Sequence, residues 1–242
     1  MRRWRPCLAW LALVFLLGGG STSGAEDLWA EQRRAMVEKL RQRSTHQSEV
    51  LQPEVLAAME KVPRHLFVPE SLRAKAYADE PLSLSSDRTI YEPYVVALMT
   101  SLLDLQKSDK VLEVGTGTGY HAAVLARLAR EVYSVEIVPP VASQARQRLQ
   151  ALGYFNVEVR IGDGYQGWAE KGPFDAILLS AAPPHIPKPL IDQLRVGGRM
   201  VVPVGGLLQD LLVITKTADG IEKRTVIPVR LTPMKGKVRD GE

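Results

Sequence analysis

Residues 110–126, with the sequence KVLEVGTGTGYHAAVLA, restrict the possible folds more than any other part of the chain. Their apolar, β-branched beginning is typical of a buried parallel strand, and their alanine-rich end predicts a helix. Between the two, Gly115, Gly117 and Gly119 follow one another at a spacing of two. Glycine permits positive φ and lets a ligand approach the backbone closely. The segment therefore predicts the start of a nucleotide-binding βαβ unit, with a merely tight strand-to-helix turn as the simpler alternative.

Apolar runs and helical patterns alternate through the rest of the chain. After residue 110, strands are predicted over residues 131–137, 157–161, 174–180, 198–204, 209–216 and 223–231, and helices over 141–152 and 190–194. Upstream, helices are predicted over 28–43, 52–62 and 93–105, with an irregular or extended link at 63–69 and a polar loop at 82–92. This alternation predicts an α/β fold with a doubly wound, mostly parallel sheet. The short turn at Gly220 predicts a late antiparallel hairpin at one edge, as in Rossmann-like class I methyltransferases.

Three acidic residues fall at the carboxyl ends of successive predicted strands, the edge at which open α/β sheets bind ligands. Glu113 is placed to accept from turn amides or to reach the amino-acid end of a ligand. Glu136, 21 residues after Gly115, is placed to accept both hydroxyls of a ribose, and Asp163 to accept from an adenine amino group. Each acid alone is more often a helix cap. Together with G-x-G-x-G, they resemble the S-adenosylmethionine site of methyltransferases.

Other catalytic motifs are missing from the sequence. No His, Asp, Glu or Cys group has the spacing of a metal site, and no G-x-S-x-G nucleophile motif occurs. Methyl transfer to a carboxylate suits such a chain, because this acceptor is already ionised at neutral pH and mainly needs to be held in line. For Asp175, a structural role and a cofactor role are equally supported. His121 is interpreted as a residue of a helix face.

The first 25 residues have the three parts of a secretory signal: a basic start, an apolar segment that begins at Cys7, and small residues at 23–25. The apolar segment is short for a transmembrane helix, so no stable membrane anchor is expected after leader removal; an uncleaved tail is the alternative. Residues 26–105 are interpreted as a helical extension with the substrate loop, and residues 106–242 as a methyltransferase core that forms one globular unit with it. Arg2, Arg3 and Arg5 lie in the leader and supply most of the net charge of +4, so no nucleic-acid partner is expected.

From about Val50 to Lys237, the chain resembles the protein-L-isoaspartate O-methyltransferase family. The matching motifs include Val62-Pro63-Arg64, Phe67-Val68-Pro69, the glycine turn, Gly162-Asp163-Gly164, FDAILLSAAPPHIP, Val202-Pro203-Val204-Gly205 and Gln209. The resemblance implies S-adenosyl-L-methionine as methyl donor and methylation of the carboxylate of L-isoaspartyl residues, which starts the repair of damaged proteins. It implies cofactor binding by Glu113, Gly115, Thr116, Gly117, Gly119, Glu136, Asp163, Gly164 and Gln209.

One loop departs from the family pattern, which reads close to P-L-P-I-G-x-G-Q-T-I-S-x-P with a serine next to the reacting carboxylate. Here residues 81–93 read PLSLSSDRTIYEP, so that both glycines and the glutamine are absent and Tyr91 replaces the serine. Tyrosine keeps a hydroxyl but extends it further from the backbone. Arg88 is suited to pair with a substrate carboxylate, and the predicted catalytic residues are Tyr91, Thr89 and Arg88. A divergent enzyme with altered isoaspartyl activity is equally supported.

The sequence therefore predicts an S-adenosylmethionine-dependent protein carboxyl methyltransferase that acts as a monomer on isoaspartyl proteins and peptides. A related methyltransferase with another acceptor, and a non-catalytic relative that only binds the cofactor, are the alternatives. The usual location of the family, and the synthesis of S-adenosylmethionine in the cytoplasm, predict a cytoplasmic protein. The signal-like residues 1–25 predict export to the periplasm instead.

Overall fold

The computed structural model describes residues 22–44, 49–85 and 88–237. Its helices are α1 (Thr22–Ser44), α2 (Pro53–Lys61), α3 (Pro93–Leu103), α4 (Tyr120–Ala126), α5 (Pro139–Ala151) and α6 (Lys188–Gln193). Its strands are β1 (Leu82–Ser85), β2 (Arg88–Ile90), β3 (Lys110–Val114), β4 (Glu131–Glu136), β5 (Val157–Ile161), β6 (Phe174–Leu179), β7 (Leu194–Gly205), β8 (Gln209–Lys216) and β9 (Ile221–Val229). Within these described ranges, no helix is both long and apolar enough to cross a membrane.

Seven strands form one sheet in the order β5-β4-β3-β6-β7-β8-β9. The strands from β5 to β7 run parallel, and β8 and β9 continue the sheet antiparallel at one edge. This confirms the predicted doubly wound, mostly parallel sheet with a late hairpin. The chain order reverses at β3, which has β4 on one side and β6 on the other. A ligand crevice is therefore expected beside the glycine turn that follows β3.

Apolar side chains cover both faces of the sheet. In β3, Val111 joins a buried cluster on one face, and Leu112 and Val114 join a second cluster on the other. This is the burial expected of a parallel strand that is covered by helices on both sides. The first cluster also contains Met36 and Leu40 of α1, together with residues of α2, α3 and α4. The N-terminal helices therefore pack on the sheet through a continuous apolar contact.

The N-terminal helix begins earlier than the sequence pattern predicts. The first residue of α1 is Thr22, whereas the prediction starts at residue 28. The predicted cleavage site at residues 23–25 thus falls in the first turn of this helix. The rest of the predicted leader, residues 1–21, lies outside the described residues.

Two predicted irregular segments are ordered in the structure. The link at residues 63–69, predicted to be irregular or extended, contains a 3-10 turn at Arg64–Phe67. The predicted polar loop at residues 82–92 is wrong, because β1 and β2 form an antiparallel hairpin there, with Leu82 paired to Ile90. Both of these side chains are buried, which explains how so polar a segment forms strands. The hairpin tip, residues 86–87, lies outside the described residues.

A buried arginine joins the 3-10 turn to the end of this hairpin. The Arg64 side chain is fully buried. Its Nε donates to the carbonyl oxygen of Ala76 at 2.8 Å, and its Nη2 donates to that of Tyr91 at 2.7 Å. Its guanidinium lies over the Tyr120 ring, 4.6 Å from the ring centroid. Arg64 therefore fixes the backbone on which the hairpin rests.

Replacing Arg64 by Ala is expected to lower the free energy of unfolding by about 2 kcal/mol, because one buried and one partly buried carbonyl group lose their donors and a cavity remains. Urea denaturation measures the change. The exposed Arg34 of α1 gives the control, for which Arg34→Ala is expected to change stability by less than about 0.5 kcal/mol. Equal effects of the two substitutions would contradict the role of Arg64.

Candidate active site

A cavity of about 350 Å³ opens at the carboxyl edge of β3, β4 and β6. Its walls are the glycine turn after β3, the end of β4, the hairpin β1–β2, the loop that begins at Ser180, and residues 232–235. Small-molecule sites typically enclose about 300–1,000 Å³. The cavity thus has the size of a ligand site and lies where the sheet topology predicts one.

The glycine turn forms one wall of the cavity. Gly115, Gly117 and Gly119 all adopt positive φ, at +97°, +54° and +89°. The Gly115 amide donates to the carbonyl oxygen of Val135 at 2.8 Å, which ties the turn to β4. Gly115, Thr116 and Gly117 line the cavity. Apart from the two neighbours of Gly117 in the chain, no described residue has a heavy atom within 4 Å of the position that a Cβ of Gly117 would take. Gly119 is the N-cap residue that precedes α4, and it is not part of the lining.

Glu136 lies at the end of β4, directly beside this turn. Its Oε2 accepts from the Gly117 amide at 2.9 Å, and its Oε1 accepts from the Val138 amide at 3.0 Å. The residue lines the cavity although it is only 8% exposed. Each carboxylate oxygen can accept two hydrogen bonds, so both retain capacity for a ligand hydroxyl. The predicted ribose contact is therefore within the geometry of this residue.

Glu113 is buried beneath the turn and does not line the cavity. The Ser134 hydroxyl donates to its Oε2 at 2.5 Å, and the Thr116 Oγ1 lies 2.5 Å from the Ser134 Oγ. Its Oε1 has no hydrogen-bond partner among the described residues. Burial raises the pKa of Glu113 to about 8, so the fold favours the protonated carboxyl group at neutral pH. Glu113 reaches the cavity wall through Thr116.

Two other predicted cofactor residues form hydrogen bonds with backbone groups and do not line the cavity. Asp163 accepts from the amides of Tyr165 at 3.0 Å and Lys237 at 2.9 Å. The bond to Tyr165 is the helix cap that the sequence leaves open as an alternative role for this acid. Gln209 accepts from the Leu231 amide at 2.7 Å and donates to the Leu231 carbonyl oxygen at 3.0 Å. Neither residue is part of the cavity lining, whereas Gly164 is. The contacts of Asp163 and Gln209 with a cofactor stay predictions.

The three predicted catalytic residues, Arg88, Thr89 and Tyr91, line the same cavity as the glycine turn. Arg88 is exposed and Thr89 is half-buried. The Tyr91 hydroxyl donates to the carbonyl oxygen of Ser180 at 2.8 Å and accepts from the Thr232 amide at 3.0 Å. Burial raises the pKa of Tyr91, which keeps the phenol protonated. The hydroxyl thus bridges three cavity walls, and both of its bonds go to the backbone.

His121 lies in the first turn of α4, as interpreted, and its helix face lines the cavity. The Thr100 hydroxyl donates to the carbonyl oxygen of Val96 at 2.7 Å, and its Oγ1 lies 2.8 Å from the His121 Nε2, within hydrogen-bond distance. Burial lowers the pKa of His121 to about 3, and the ring is neutral at physiological pH. The described residues contain no group of three or more His, Cys, Asp or Glu side chains that could hold a metal ion.

Asp175 lies at the start of β6, away from the carboxyl edge. Its Oδ2 accepts from the Lys110 amide at 2.7 Å, and its Oδ1 pairs with Arg195. Of the two roles that the sequence leaves open, the structural one agrees with this position.

Comparison with known proteins decides the family. A model of the protein-L-isoaspartate(D-aspartate) O-methyltransferase family matches residues 31–239. The chain belongs to this family. Within the family, the Picosynechococcus sp. protein-L-isoaspartate O-methyltransferase is 53% identical over 201 residues, which cover 81% of this chain and 90% of that protein. The Polaromonas sp. protein-L-isoaspartate O-methyltransferase 2 is 54% identical over 190 residues, covering 77% and 90% of the two chains.

A solved protein-L-isoaspartate O-methyltransferase has the same fold, with a TM-score of 0.77 at 27% identity. The match covers 85% of this chain and 67% of that structure. A second, 24% identical structure, described as a putative family member from Plasmodium falciparum in complex with S-adenosyl-L-homocysteine, superposes with a TM-score of 0.72 over 84% of this chain and 98% of that one. Both matches agree with the class I methyltransferase fold that the sequence predicts.

The site residues that the sequence predicts account for only part of the cavity wall. Ser180 also lines the cavity, and within the described part of the chain its buried hydroxyl has no hydrogen-bond partner. The sequence carries a signal for this role, because Ser180 directly follows a buried strand at the edge where open α/β sheets bind ligands. Residues 232–235 carry no comparable signal, because they reach the cavity only after the antiparallel return of β8 and β9.

Proposed function

We propose that this family member transfers the methyl group of S-adenosyl-L-methionine to the carboxylate of L-isoaspartyl residues in damaged proteins, which starts their repair. The observation that carries the proposal is that two halves of a site face one cavity. The glycine turn and Glu136 form the donor half, and the hairpin with Arg88 and Tyr91 forms the acceptor half. A donor and an acceptor bound to these halves meet in one partly enclosed space.

The donor half fits the polar groups of a nucleoside. The two oxygens of Glu136 suit the two hydroxyls of a ribose, and the backbone of residues 115–117 is open to a ligand beside Gly117. The buried hydroxyl of Ser180 offers a further polar group at the cavity wall. When bound, S-adenosylmethionine supplies an activated methyl group on a positively charged sulfur. No metal ion is part of the proposal.

The acceptor half has a limited chemical task. An isoaspartyl carboxylate is already ionised at neutral pH, with a pKa near 4 for such groups, so no general base is needed. The chain has to hold one carboxylate oxygen in line with the methyl carbon and keep water away. We assign the pairing with the substrate carboxylate to Arg88, assisted by the neighbouring Thr89 hydroxyl. Tyr91 is a positioning residue that holds the walls together.

Replacing Tyr91 by Phe is expected to lower kcat/KM for an isoaspartyl peptide about tenfold, because the three walls lose their common link and small misplacements slow aligned reactions strongly. Steady-state kinetics measure this effect, and calorimetry is expected to show a smaller change in S-adenosylmethionine affinity. Tyr133, whose ring packs on Trp168 outside the cavity, gives the control Tyr133→Phe. An unchanged kcat/KM for Tyr91→Phe would contradict the positioning role.

Tyr91→Ser restores the residue of the family pattern and separates the two interpretations of the divergent loop. A gain in isoaspartyl activity supports a pocket that has diverged at this position. No gain shows that the tyrosine is part of a working arrangement in this chain.

Two measurements, made one after the other, test the proposed function. Calorimetry with S-adenosylmethionine is followed by transfer of a radiolabelled methyl group to an isoaspartyl peptide. Binding together with labelling of this peptide supports the proposal. Binding without labelling contradicts it and selects another acceptor or a non-catalytic relative. Absence of binding contradicts the donor half as well.

We further propose that the protein acts as a monomer in the cytoplasm, where S-adenosylmethionine is made, without a membrane anchor or a nucleic-acid partner. Export through the signal-like residues 1–25 is the alternative location. N-terminal sequencing of the native protein distinguishes the two. A start at Met1 agrees with the cytoplasm, and a start at Glu26 contradicts it.

A further inference from the structure

Two neighbouring leucines stand in solvent at the turn between β7 and β8. Leu207 and Leu208 are 98% and 91% exposed. The turn is tight, since Gly205 adopts a φ of +136° and a Cβ there would lie 2.1 Å from the carbonyl oxygen of Leu208. Isolated exposed leucines are ordinary, but two adjacent ones at a constrained turn form an apolar surface that favours contact with a partner. We call residues 207–208 the leucine turn.

The leucine turn lies at the same edge of the sheet as the cavity. β7 runs parallel to β6, so its carboxyl end and the glycine turn point the same way. The Gly205 amide donates to the carbonyl oxygen of Pro183 at 3.0 Å. This oxygen belongs to the loop that begins at Ser180 and forms a cavity wall. The turn is therefore attached directly to the loop that forms one wall of the cavity.

Gln209 attaches the leucine turn to a second wall of the cavity, which explains the position of this buried side chain. Its Nε2 donates to the carbonyl oxygen of Gly206 at 3.2 Å and to that of Leu231 at 3.0 Å. The next residue, Thr232, lines the cavity and donates its amide to Tyr91. One buried amide side chain thus holds both the base of the leucine turn and the cavity wall beside it.

We propose that the leucine turn is a docking surface for apolar side chains of the polypeptide that carries the isoaspartyl residue. The inference rests on the proposed function, because a protein substrate extends beyond the cavity whereas a nucleoside does not. Damaged or unfolded segments expose apolar side chains that intact proteins bury. An apolar contact beside the cavity raises the affinity for such segments without any change at the reacting carboxylate.

The experiment uses two isoaspartyl peptides of equal length. One carries leucines on both sides of the isoaspartyl residue, and the other carries serines at the same positions. The double variant Leu207→Ser/Leu208→Ser is expected to raise KM for the leucine peptide about tenfold, the factor that partial burial of a leucine side chain contributes. We expect kcat and the kinetics of the serine peptide to stay within about twofold of the wild type. Peptide binding by fluorescence anisotropy, with S-adenosylhomocysteine present, is expected to change in parallel.

Phe155 provides the matched control. It is 84% exposed but precedes β5, at the opposite, amino edge of the sheet. Phe155→Ser is expected to leave both peptides unaffected. Equal losses for both peptides, no loss for either, or the same loss with Phe155→Ser would overturn the docking role. A wild-type dimer in sedimentation that the leucine-turn variant abolishes would overturn it in favour of self-association.

The binding measurement separates this proposal from the proposed function. Leucine-dependent binding without methylation by the wild-type protein would contradict the function and support the docking surface. Methylation with no preference for the leucine peptide would support the function and contradict the docking surface.

Discussion

Replacing Glu136 by Ala is expected to weaken S-adenosylmethionine binding about one hundredfold, as measured by titration calorimetry. The loss corresponds to two charge-assisted hydrogen bonds of about 1.5 kcal/mol each. The carboxylate lines the cavity and also accepts from the Gly117 amide, so its removal is expected to affect both the proposed ribose contact and the turn. Glu136→Gln, which keeps the shape and one acceptor oxygen, is expected to lose about tenfold.

Glu131 provides the control for this experiment. It lies at the amino end of the same strand, half-buried and paired with Arg130 at 3.6 Å. Glu131→Ala is expected to bind S-adenosylmethionine like the wild type. If Glu136→Ala also binds like the wild type, the assignment of Glu136 to the donor half is wrong.

Replacing Glu113 by Gln is expected to remove a large part of the pH dependence of stability in the ligand-free protein. Burial raises the pKa of Glu113 from 4.5 to about 8, so the folded protein holds this proton at pH values where the unfolded chain has released it. Between pH 4.5 and 8, unfolding therefore releases a proton, and the free energy of unfolding falls as pH rises. The contribution is about 1.4 kcal/mol per pH unit, or on the order of 5 kcal/mol across this window.

Urea denaturation of the wild type and Glu113→Gln at pH 5, 6.5 and 8 measures this contribution. The stability difference between the two proteins is expected to move in favour of the variant as pH rises. Glu222, which is exposed on β9, gives the control Glu222→Gln, for which the difference is expected to stay constant. Parallel curves for the wild type and Glu113→Gln would show that Glu113 is not held protonated by the fold.

The sheet is well predicted because its signals are local. Strands β5 and β8 coincide with the predicted residues 157–161 and 209–216, since each is an apolar or alternating run bounded by turns. The hairpin β1–β2 is not predicted, because its residues are mostly polar and only Leu82 and Ile90 are buried. Its strands form through contact with the core, which no local pattern shows.

The same contrast between local signals and long-range contacts applies to the candidate site. The glycine turn and Glu136 are predicted, because a strand-end motif fixes their positions relative to the sheet. Tyr91 is predicted as a catalytic residue, yet its hydroxyl bonds to backbone groups of residues 180 and 232. These partners are 89 and 141 residues away along the chain. Only the folded chain shows that Tyr91 joins the walls and that Gln209 supports a neighbouring turn.

The most direct test of the proposed activity compares kcat/KM for an L-isoaspartyl peptide with that for its L-aspartyl twin. The two peptides have the same atoms, but the free carboxylate stands at a different position along the backbone. A site that holds the carboxylate in line with the methyl donor is expected to favour the isoaspartyl peptide by about one hundredfold or more. Equal rates for the twins, or methylation of neither by a protein that binds S-adenosylmethionine, would contradict the account.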